Sequence, residues 1–406
     1  MKPLEILTVF GTRPEAIKLA PVIKQLQSYP GKINVSVCAT GQHREMLDQV
    51  LDLFDISPDF DLGLMQPNQS PSQVASLVLG TLDPLFEKIS PDWILVQGDT
   101  TTVMAASIAA HHRGIKVGHV EAGLRTYDRS NPFPEEMNRV VTDHISDLHF
   151  APTTSSRDNL LREGIRPDSV FITGNTVIDA LQWVVRQPLP PILNELFGDL
   201  DLDSRIGPAV LESNHSKDRL RTKSLILVTA HRRESFGEPL QSICHALRLL
   251  AERGDVRIVY LVHRNPNVWE PVQQILGNTK GVTLLPPVDY LTLVHLMKRS
   301  HLILTDSGGI QEEAPSLGVP VLVLRKTTER PEAVASGAAK LVGTDSARIV
   351  REAEKLLEDP ASHAKMARAI NPYGDGRAAQ RIVDVLTHGH CEEFVPENVI
   401  MSGERS

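Results

Sequence analysis

The sequence predicts an α/β protein built from two doubly wound domains. Short apolar, β-branched runs alternate with amphipathic stretches along the chain, the pattern of βαβ units whose parallel sheets are buried on both faces. These runs form two sets, separated by a poorly periodic stretch at Gln187–Lys223. The length of 406 residues, with 41% hydrophobic and 23% charged side chains, suits two or three domains with sizeable cores.

Taken in order, the first set predicts strands over Leu4–Phe10, Ile33–Ala39, Trp93–Val96, Lys116–Val120, Leu148–Ala151 and Val170–Ile172. Helical periodicity fills the gaps at Glu15–Ser28, Thr101–Arg113 and Glu135–Ser146. The junction Gln187–Lys223 opens with Pro188, Pro190 and Pro191, turns acidic at Asp199, Asp201 and Asp203, then basic from Lys217 to Lys223, and reads as an insertion. The second set predicts strands over Ser224–Thr229, Val256–Val262, Val282–Leu285, His301–Leu304, Val319–Leu324 and Ala339–Val342, with a helix at Pro239–Arg253. The polar tail, Cys391–Ser406, reads as loose. Sheets of this kind bind ligands beyond the carboxyl ends of their strands, so two of them facing one another predict a central cleft.

Composition narrows the function. With 42 Lys+Arg against 50 Asp+Glu, the net charge of -8 argues against a nucleic-acid or anionic-membrane partner, although a local basic cluster could still hold a phosphorylated ligand. The cysteines Cys38, Cys244 and Cys391 form no CxxC pair, so neither a disulfide framework nor a zinc ribbon is indicated. The start of the chain lacks a signal peptide's basic and apolar regions, and no stretch reaches the roughly 18 apolar residues of a membrane span. A cytoplasmic setting is expected.

Two strand-to-helix turns suggest anion binding. Gly11-Thr12-Arg13-Pro14-Glu15 follows the first strand and puts Arg13 and Lys18 near a helix N-terminus; the segment also reads as a plain βα turn with solvated charges. In the second half, Ser307, Gly308 and Gly309 open a helix whose bare backbone N–H groups suit a phosphate, and Glu313, one turn further in, could accept hydrogen bonds from ribose hydroxyls. Neither turn is GxGxxG or GxxxxGK[ST], so a dinucleotide cofactor and a P-loop are unsupported. Asp99, Glu121 and Glu135 stand at strand ends or a helix start on one rim of the first sheet, a candidate acid–base set. Singly, each also reads as a cap or an ion-pair partner. His231, followed by Arg232 and Arg233, ends a strand of the second set, and Arg330 follows another. Two His-rich spots, His111-His112 and His388–Cys391, lack the further ligands of a metal site, so no metal is expected.

These segments together resemble the bacterial non-hydrolysing UDP-N-acetylglucosamine 2-epimerase family. The resemblance runs from Leu4 to about Gly376 and rests on long motifs in one order. They are Thr8–Lys18, Thr40–Asp48, Gln97–Thr102, Gly118–Thr126, Gly174–Asp179, His231–Gly237, Thr305–Pro315, Thr327–Glu332 and Asn371–Gly376. It implies a glycosyltransferase-B-like fold with two Rossmann-like domains. The N-terminal one would span residues 1–172 plus a returning helix at about 373–390, and the UDP-binding one residues 173–372. It implies a homodimer that interconverts UDP-N-acetylglucosamine and UDP-N-acetylmannosamine without cofactor, by eliminating UDP to 2-acetamidoglucal and adding it back. The product usually feeds cell-surface polysaccharide synthesis.

Carried over residue by residue, Arg13, His231, Ser307, Gly308, Gly309 and Arg330 resemble the family's UDP contacts, and Glu313 its ribose carboxylate. Asp99, Glu121 and Glu135 resemble its catalytic carboxylates, and Lys18 a basic residue important for activity. Gln42, His43 and Gln69 fall where some contacts of an activating second UDP-N-acetylglucosamine site lie, whereas Asn68 stands where certain members have Arg. The alternatives are a 2-epimerase of a modified UDP-aminosugar, a glycosyltransferase of the same architecture, for which no acceptor motif is seen, and a non-catalytic nucleotide-sugar sensor.

Overall fold

The computed structural model describes residues 2–41, 44–66, 69–199 and 223–396, which form two compact units. The first comprises Met1–Gln182 and Tyr373–Ser406, the second Trp183–Pro372.

The first unit is a 7-stranded parallel sheet in the order β3-β2-β1-β4-β5-β6-β7. Its strands are β1 (Leu4–Phe10), β2 (Ile33–Ala39), β3 (Phe60–Asp61), β4 (Trp93–Gln97), β5 (Lys116–Val120), β6 (Leu148–Ala151) and β7 (Val170–Ile172). The helices between them are α1 (Arg13–Gln27), α2 (Arg44–Leu53), α3 (Pro71–Ile89), α4 (Thr101–His112), α5 (Glu135–Ile145) and α6 (Thr154–Arg162), and α7 (Thr176–Val184) follows β7. Local chemistry sets the helix starts. Thr12 and Glu15 form a capping box around Pro14 in the first turn of α1, and Ser70 and Gln73 do the same beside Pro71 in α3. Leu7, Val9, Ile94, Val96 and Val117 meet Val78, Leu82, Phe86 and the alanines of α4 in a buried core.

In the second unit α8 (Pro191–Asp199) precedes β8 (Ser224–Thr229), and the remaining strands are β9 (Val256–Leu261), β10 (Val282–Leu285), β11 (Leu302–Thr305), β12 (Val321–Val323) and β13 (Ala339–Leu341). The helices between and after them are α9 (Glu238–Glu252), α10 (Pro266–Leu276), α11 (Tyr290–Arg299), α12 (Gly308–Glu313), α13 (Pro331–Ala335), α14 (Ser346–Glu358) and α15 (Pro360–Ala367). They surround a 6-stranded parallel sheet, β10-β9-β8-β11-β12-β13. The chain then returns to the first unit in α16 (Ala378–His388), where Asp179 of α7 accepts the backbone N–H groups of Ala378 at 3.2 Å and Ala379 at 2.9 Å.

The structure revises three expectations. The division falls inside α7, after Gln182 and not after residue 172, because α7 caps and packs with the first unit's returning helix. Part of the supposed insertion is helical: Pro191 is the first residue of α8, a position where its missing N–H costs nothing. Residues 200–222 lie outside the described set. The start of the loose tail is held: Phe394 is buried under Arg381, and its N–H donates to the Ile172 carbonyl at 2.7 Å. Among the described residues no helix is long and apolar enough to cross a membrane.

Candidate active-site residues in each unit

Both sheets reverse their strand order once, between β1 and β4 in the first and between β8 and β11 in the second. A crevice opens at such a reversal, beyond the carboxyl ends of the two strands. Several of the expected site residues lie near these reversals.

In the first unit, Glu121 follows β5 with φ of 68°, a left-handed conformation uncommon for a side chain other than glycine. Its carboxylate is buried among donors. Lys18 Nζ lies 2.6 and 2.7 Å from the two oxygens, Asn175 Nδ2 donates at 3.0 Å, and Gln97 Nε2 donates to Oε2. Asp99, just past β4, is more open, and Arg139 of α5 donates to it at 2.5 Å. Arg139 also reaches Glu136 at 3.4 Å. Below them His119 lies between the Asp143 carboxylate at 2.6 Å and the Gly98 carbonyl at 2.7 Å, tying α5 to the Asp99 turn. Burial alone would raise the Asp143 pKa, but His119 and Arg125 hold it well below the carboxylate range. Gly123, at φ of 84°, could not carry a Cβ, which would lie 2.2 Å from the Ser156 carbonyl oxygen.

Two expectations in this unit change. The first helix N-terminus is occupied by the chain itself, since Glu15 accepts the N–H groups of Gly11 at 2.6 Å and Thr12 at 2.9 Å and the hydroxyl of Thr100 at 2.5 Å. Burial pushes the Glu15 carboxyl up, against the pull of those hydrogen bonds. Lys18 reaches Glu121 at 2.6 Å, so its ammonium is paired with that carboxylate. Arg13 occupies the first position of α1, half-buried. Glu135 starts α5, half-buried, with no side-chain hydrogen bond among the described residues; its neighbour Glu136 is the buried one, holding the Thr126 and Tyr127 N–H groups at 2.8–3.1 Å. Gln69 closes its own loop, accepting from Gln66 N at 2.8 Å and donating to the Leu64 carbonyl at 3.3 Å, while Gln42 and His43 lie outside the described residues.

In the second unit, His231 follows β8 and Ser307 stands just before α12, after β11, on the two sides of the reversal. Between them the wholly buried Asp306 accepts the N–H groups of His231 and Arg232 through Oδ2, both at 2.7 Å. The His231 ring stacks on His263, with centroids 5.4 Å apart and planes 12° off parallel. Burial holds the His231 pKa below its ordinary 6.5, and His263 and Arg232 push the same way against Asp306.

Gly308 and Gly309 sit in ordinary helical backbone with room around them. A Cβ at 308 would meet nothing nearer than the Arg330 guanidinium at 3.9 Å, and one at 309 nothing nearer than Glu313 Oε1 at 3.5 Å. Nothing in the fold requires glycine there, although glycine costs a helix about 1 kcal/mol relative to alanine. The open N–H edge suits a ligand that comes close to the backbone. Arg330 flanks this edge and is paired with Glu312. Glu313 is buried, and its Oε2 accepts from the Tyr290 hydroxyl at 2.7 Å. Among the described residues no group of three or more His, Cys, Asp or Glu is arranged to hold a metal ion.

Sequence reasoning missed Gln97, Asn175, Arg139, Asp306 and Tyr290. All but Arg139 and Tyr290 lie inside motifs noted above, yet amides and buried carboxylates carry no signal of their partners, which are distant in sequence. Their only cue was position, just after a strand or at a helix start.

The family model for UDP-N-acetylglucosamine 2-epimerase matches residues 24–387. The Escherichia coli K12 UDP-N-acetylglucosamine 2-epimerase is 53% identical over 386 residues, 94% of this chain and 98% of that one. The chain is also similar to the crystal structure of UDP-GlcNAc 2-epimerase from Neisseria meningitidis bound to UDP-GlcNAc, with a TM-score of 0.81 and 48% identity over 94% of this chain and 99% of that one. An S. aureus MnaA–UDP co-structure matches with a TM-score of 0.83 and 41% identity over 97% of this chain and all of that one (100%).

Proposed function

The chain belongs to the UDP-N-acetylglucosamine 2-epimerase family, and from that premise we propose that it interconverts UDP-N-acetylglucosamine and UDP-N-acetylmannosamine by letting UDP leave and adding it back. The observation that supports this reading is the pairing of two of the three candidate carboxylates with cations in the first unit: Glu121 with Lys18, and Asp99 with Arg139.

The C2 proton of the sugar has no adjacent carbonyl, so its direct removal is very costly. Elimination avoids this. A carboxylate takes the C2 proton, the C1–C2 double bond forms, and the C1–O electron pair leaves with UDP. Re-addition reverses each step, with the proton delivered to the opposite face of C2. Two protic groups are needed, one for each face, and Asp99, Glu121 and Glu135 are the candidates. Glu121, surrounded by donors, stays an acceptor until a proton reaches it, and Lys18 compensates its charge.

UDP is held by the second unit's residues: the Ser307–Gly309 edge and Arg330 for the diphosphate, Glu313 for the ribose, and His231 for the leaving oxygen. Preorganised donors of this kind stabilise departing diphosphate charge. A homodimer, and an activating second UDP-sugar site touching Gln69, belong to the same reading.

The test is turnover in deuterium oxide with UDP-N-acetylglucosamine as sole substrate and no acceptor. Deuterium at C2 of product and recovered substrate, with positional exchange of a labelled oxygen bridging C1 and the β-phosphorus, is the expected result. An unexchanged bridging oxygen during full turnover rejects elimination, and a requirement for an acceptor rejects the epimerase reading.

A further inference from the structure

Asp306, beside His231, is a buried acidic residue to which the reaction above gives no task. It is wholly buried, and its two oxygens differ in environment. Oδ2 receives the N–H groups of His231 and Arg232. Oδ1 is buried and has no hydrogen-bond partner. A buried acceptor left unpaired is costly, and more so when it carries charge, so a group in this state has a reason to be there. The Nδ1 atom of His231 faces Oδ1 at 3.6 Å.

The ring has little freedom to turn elsewhere. It lies flat on His263, whose own Nδ1 accepts the Asn265 N–H at 3.1 Å. Behind it, the Tyr260 hydroxyl donates to the Ala230 carbonyl at 2.8 Å and pins the strand end that carries His231. The charged and titratable groups facing the ring are Asp306, His263 and Arg232. Of these, Asp306 alone can accept a proton from Nδ1. A swing of the ring by a few tenths of an ångström completes the hydrogen bond, and such bonds commonly tighten only when a ligand is bound.

We propose that Asp306 is a positioning residue for His231: its Oδ1 takes the ring's Nδ1–H, fixing the tautomer that presents Nε2 outward, away from the sheet. The function of Nε2 rests on the reading above, in which His231 meets the leaving diphosphate. In the opposite tautomer Nδ1 would set its lone pair against the buried carboxylate, leaving two acceptors facing one another with no proton between them.

The experiment is imidazole 15N NMR on the full-length protein labelled at histidine, with the His231 signals assigned by their loss in His231→Asn. Proton on Nδ1 in the free enzyme is the expected result, and proton on Nε2 with Nδ1 bare overturns the proposal whether or not the enzyme turns over. In Asp306→Asn the amide can donate to Nδ1, so the proton should move to Nε2 and kcat should fall by about 100-fold or more, while UDP affinity shows that the fold is kept. Adding Asp306→Asn to His231→Asn should cost nothing further; independent, multiplicative losses overturn the coupling. If Asp306→Asn does not fold, the wild-type spectrum decides alone. If Nδ1 carries the proton but His231→Asn keeps full kcat, the positioning stands and the assignment of His231 to the leaving diphosphate falls.

Discussion

Replacing Glu121 with Gln separates what holds the first unit's site from what reacts in it. In the native protein three side chains donate to two carboxylate oxygens, Lys18 at 2.6 and 2.7 Å, Asn175 at 3.0 Å, and Gln97. A glutamine keeps one acceptor and turns an N–H2 group toward the same donors. Breaking a buried ion pair costs about 3–5 kcal/mol, because the remaining charge stays uncompensated. The Lys18 side chain is 16% exposed and recovers some hydration, which places the loss near the lower end. A loss of about 3 kcal/mol lowers Tm by about 6–12 °C for a unit of this size. Adding Lys18→Met removes the stranded cation and leaves the glutamine oxygen to the two amides, so the double variant should return to within about 1 kcal/mol of wild type. Neither variant should turn over, while UDP binding persists in both. Thermal unfolding by circular dichroism and product formation by proton NMR read the two effects apart. A single variant as stable as wild type, or a double variant no better than the single, refutes the ion-pair account; near-normal turnover in Glu121→Gln removes it from the chemistry.

Four further outcomes are expected. Asp99→Asn should abolish turnover with UDP affinity unchanged, measured by calorimetry beside the turnover assay. Gly309→Ala should stabilise the second unit by about 0.5–1 kcal/mol, since the new Cβ has room and the helix gains propensity, yet weaken UDP binding at least tenfold; unchanged binding would take the phosphate edge out of the site. Burial raises the Asp179 pKa from 3.8 to about 6, so the stability it contributes is full below pH 3.8 and is lost as pH rises to about 6; a Tm-against-pH series should show that fall, about 3 kcal/mol at most, flattened in Asp179→Asn. His301 moves the opposite way: burial, with His363 stacked at 4.1 Å, lowers its pKa from 6.5 to about 4, so stability present above pH 6.5 is lost as pH falls to about 4, and His301→Asn should hold the second unit's Tm steadier across that window.

How far the sequence reveals the molecule depends on the range of the interaction concerned. Strands such as Leu4–Phe10 and Ser224–Thr229 are legible because a parallel strand buried on both faces reads as a nearly continuous apolar run, and the structure keeps those bounds. The two-residue β3 is not, because Phe60–Asp61 pairs only with the end of β2 and has no run of its own. The prolines before α8 mask a helix they in fact initiate. At the site, the strand-end positions of Asp99, Glu121 and His231 follow from local pattern, and their assignment to chemistry comes from the order of long motifs. What each touches does not. Lys18 and Glu121 are 103 residues apart and Glu121 and Asn175 54 apart, and only the strand order brings them together. Glu135 and Glu136 are neighbours of identical chemistry, and the helix phase alone decides which is buried.

The return of the chain to the first unit has a consequence for synthesis. Trp183–Pro372 is continuous and can close on itself while still emerging from the ribosome. The amino-terminal unit must wait for its last contacts, because Asp179 has no helix to cap and the Ile172 carbonyl no Phe394 N–H to accept until Tyr373–Phe394 has been translated. The half that is made first is therefore finished last, and shortening the chain before Phe394 should damage the carboxylate-bearing unit at the opposite end of the gene product.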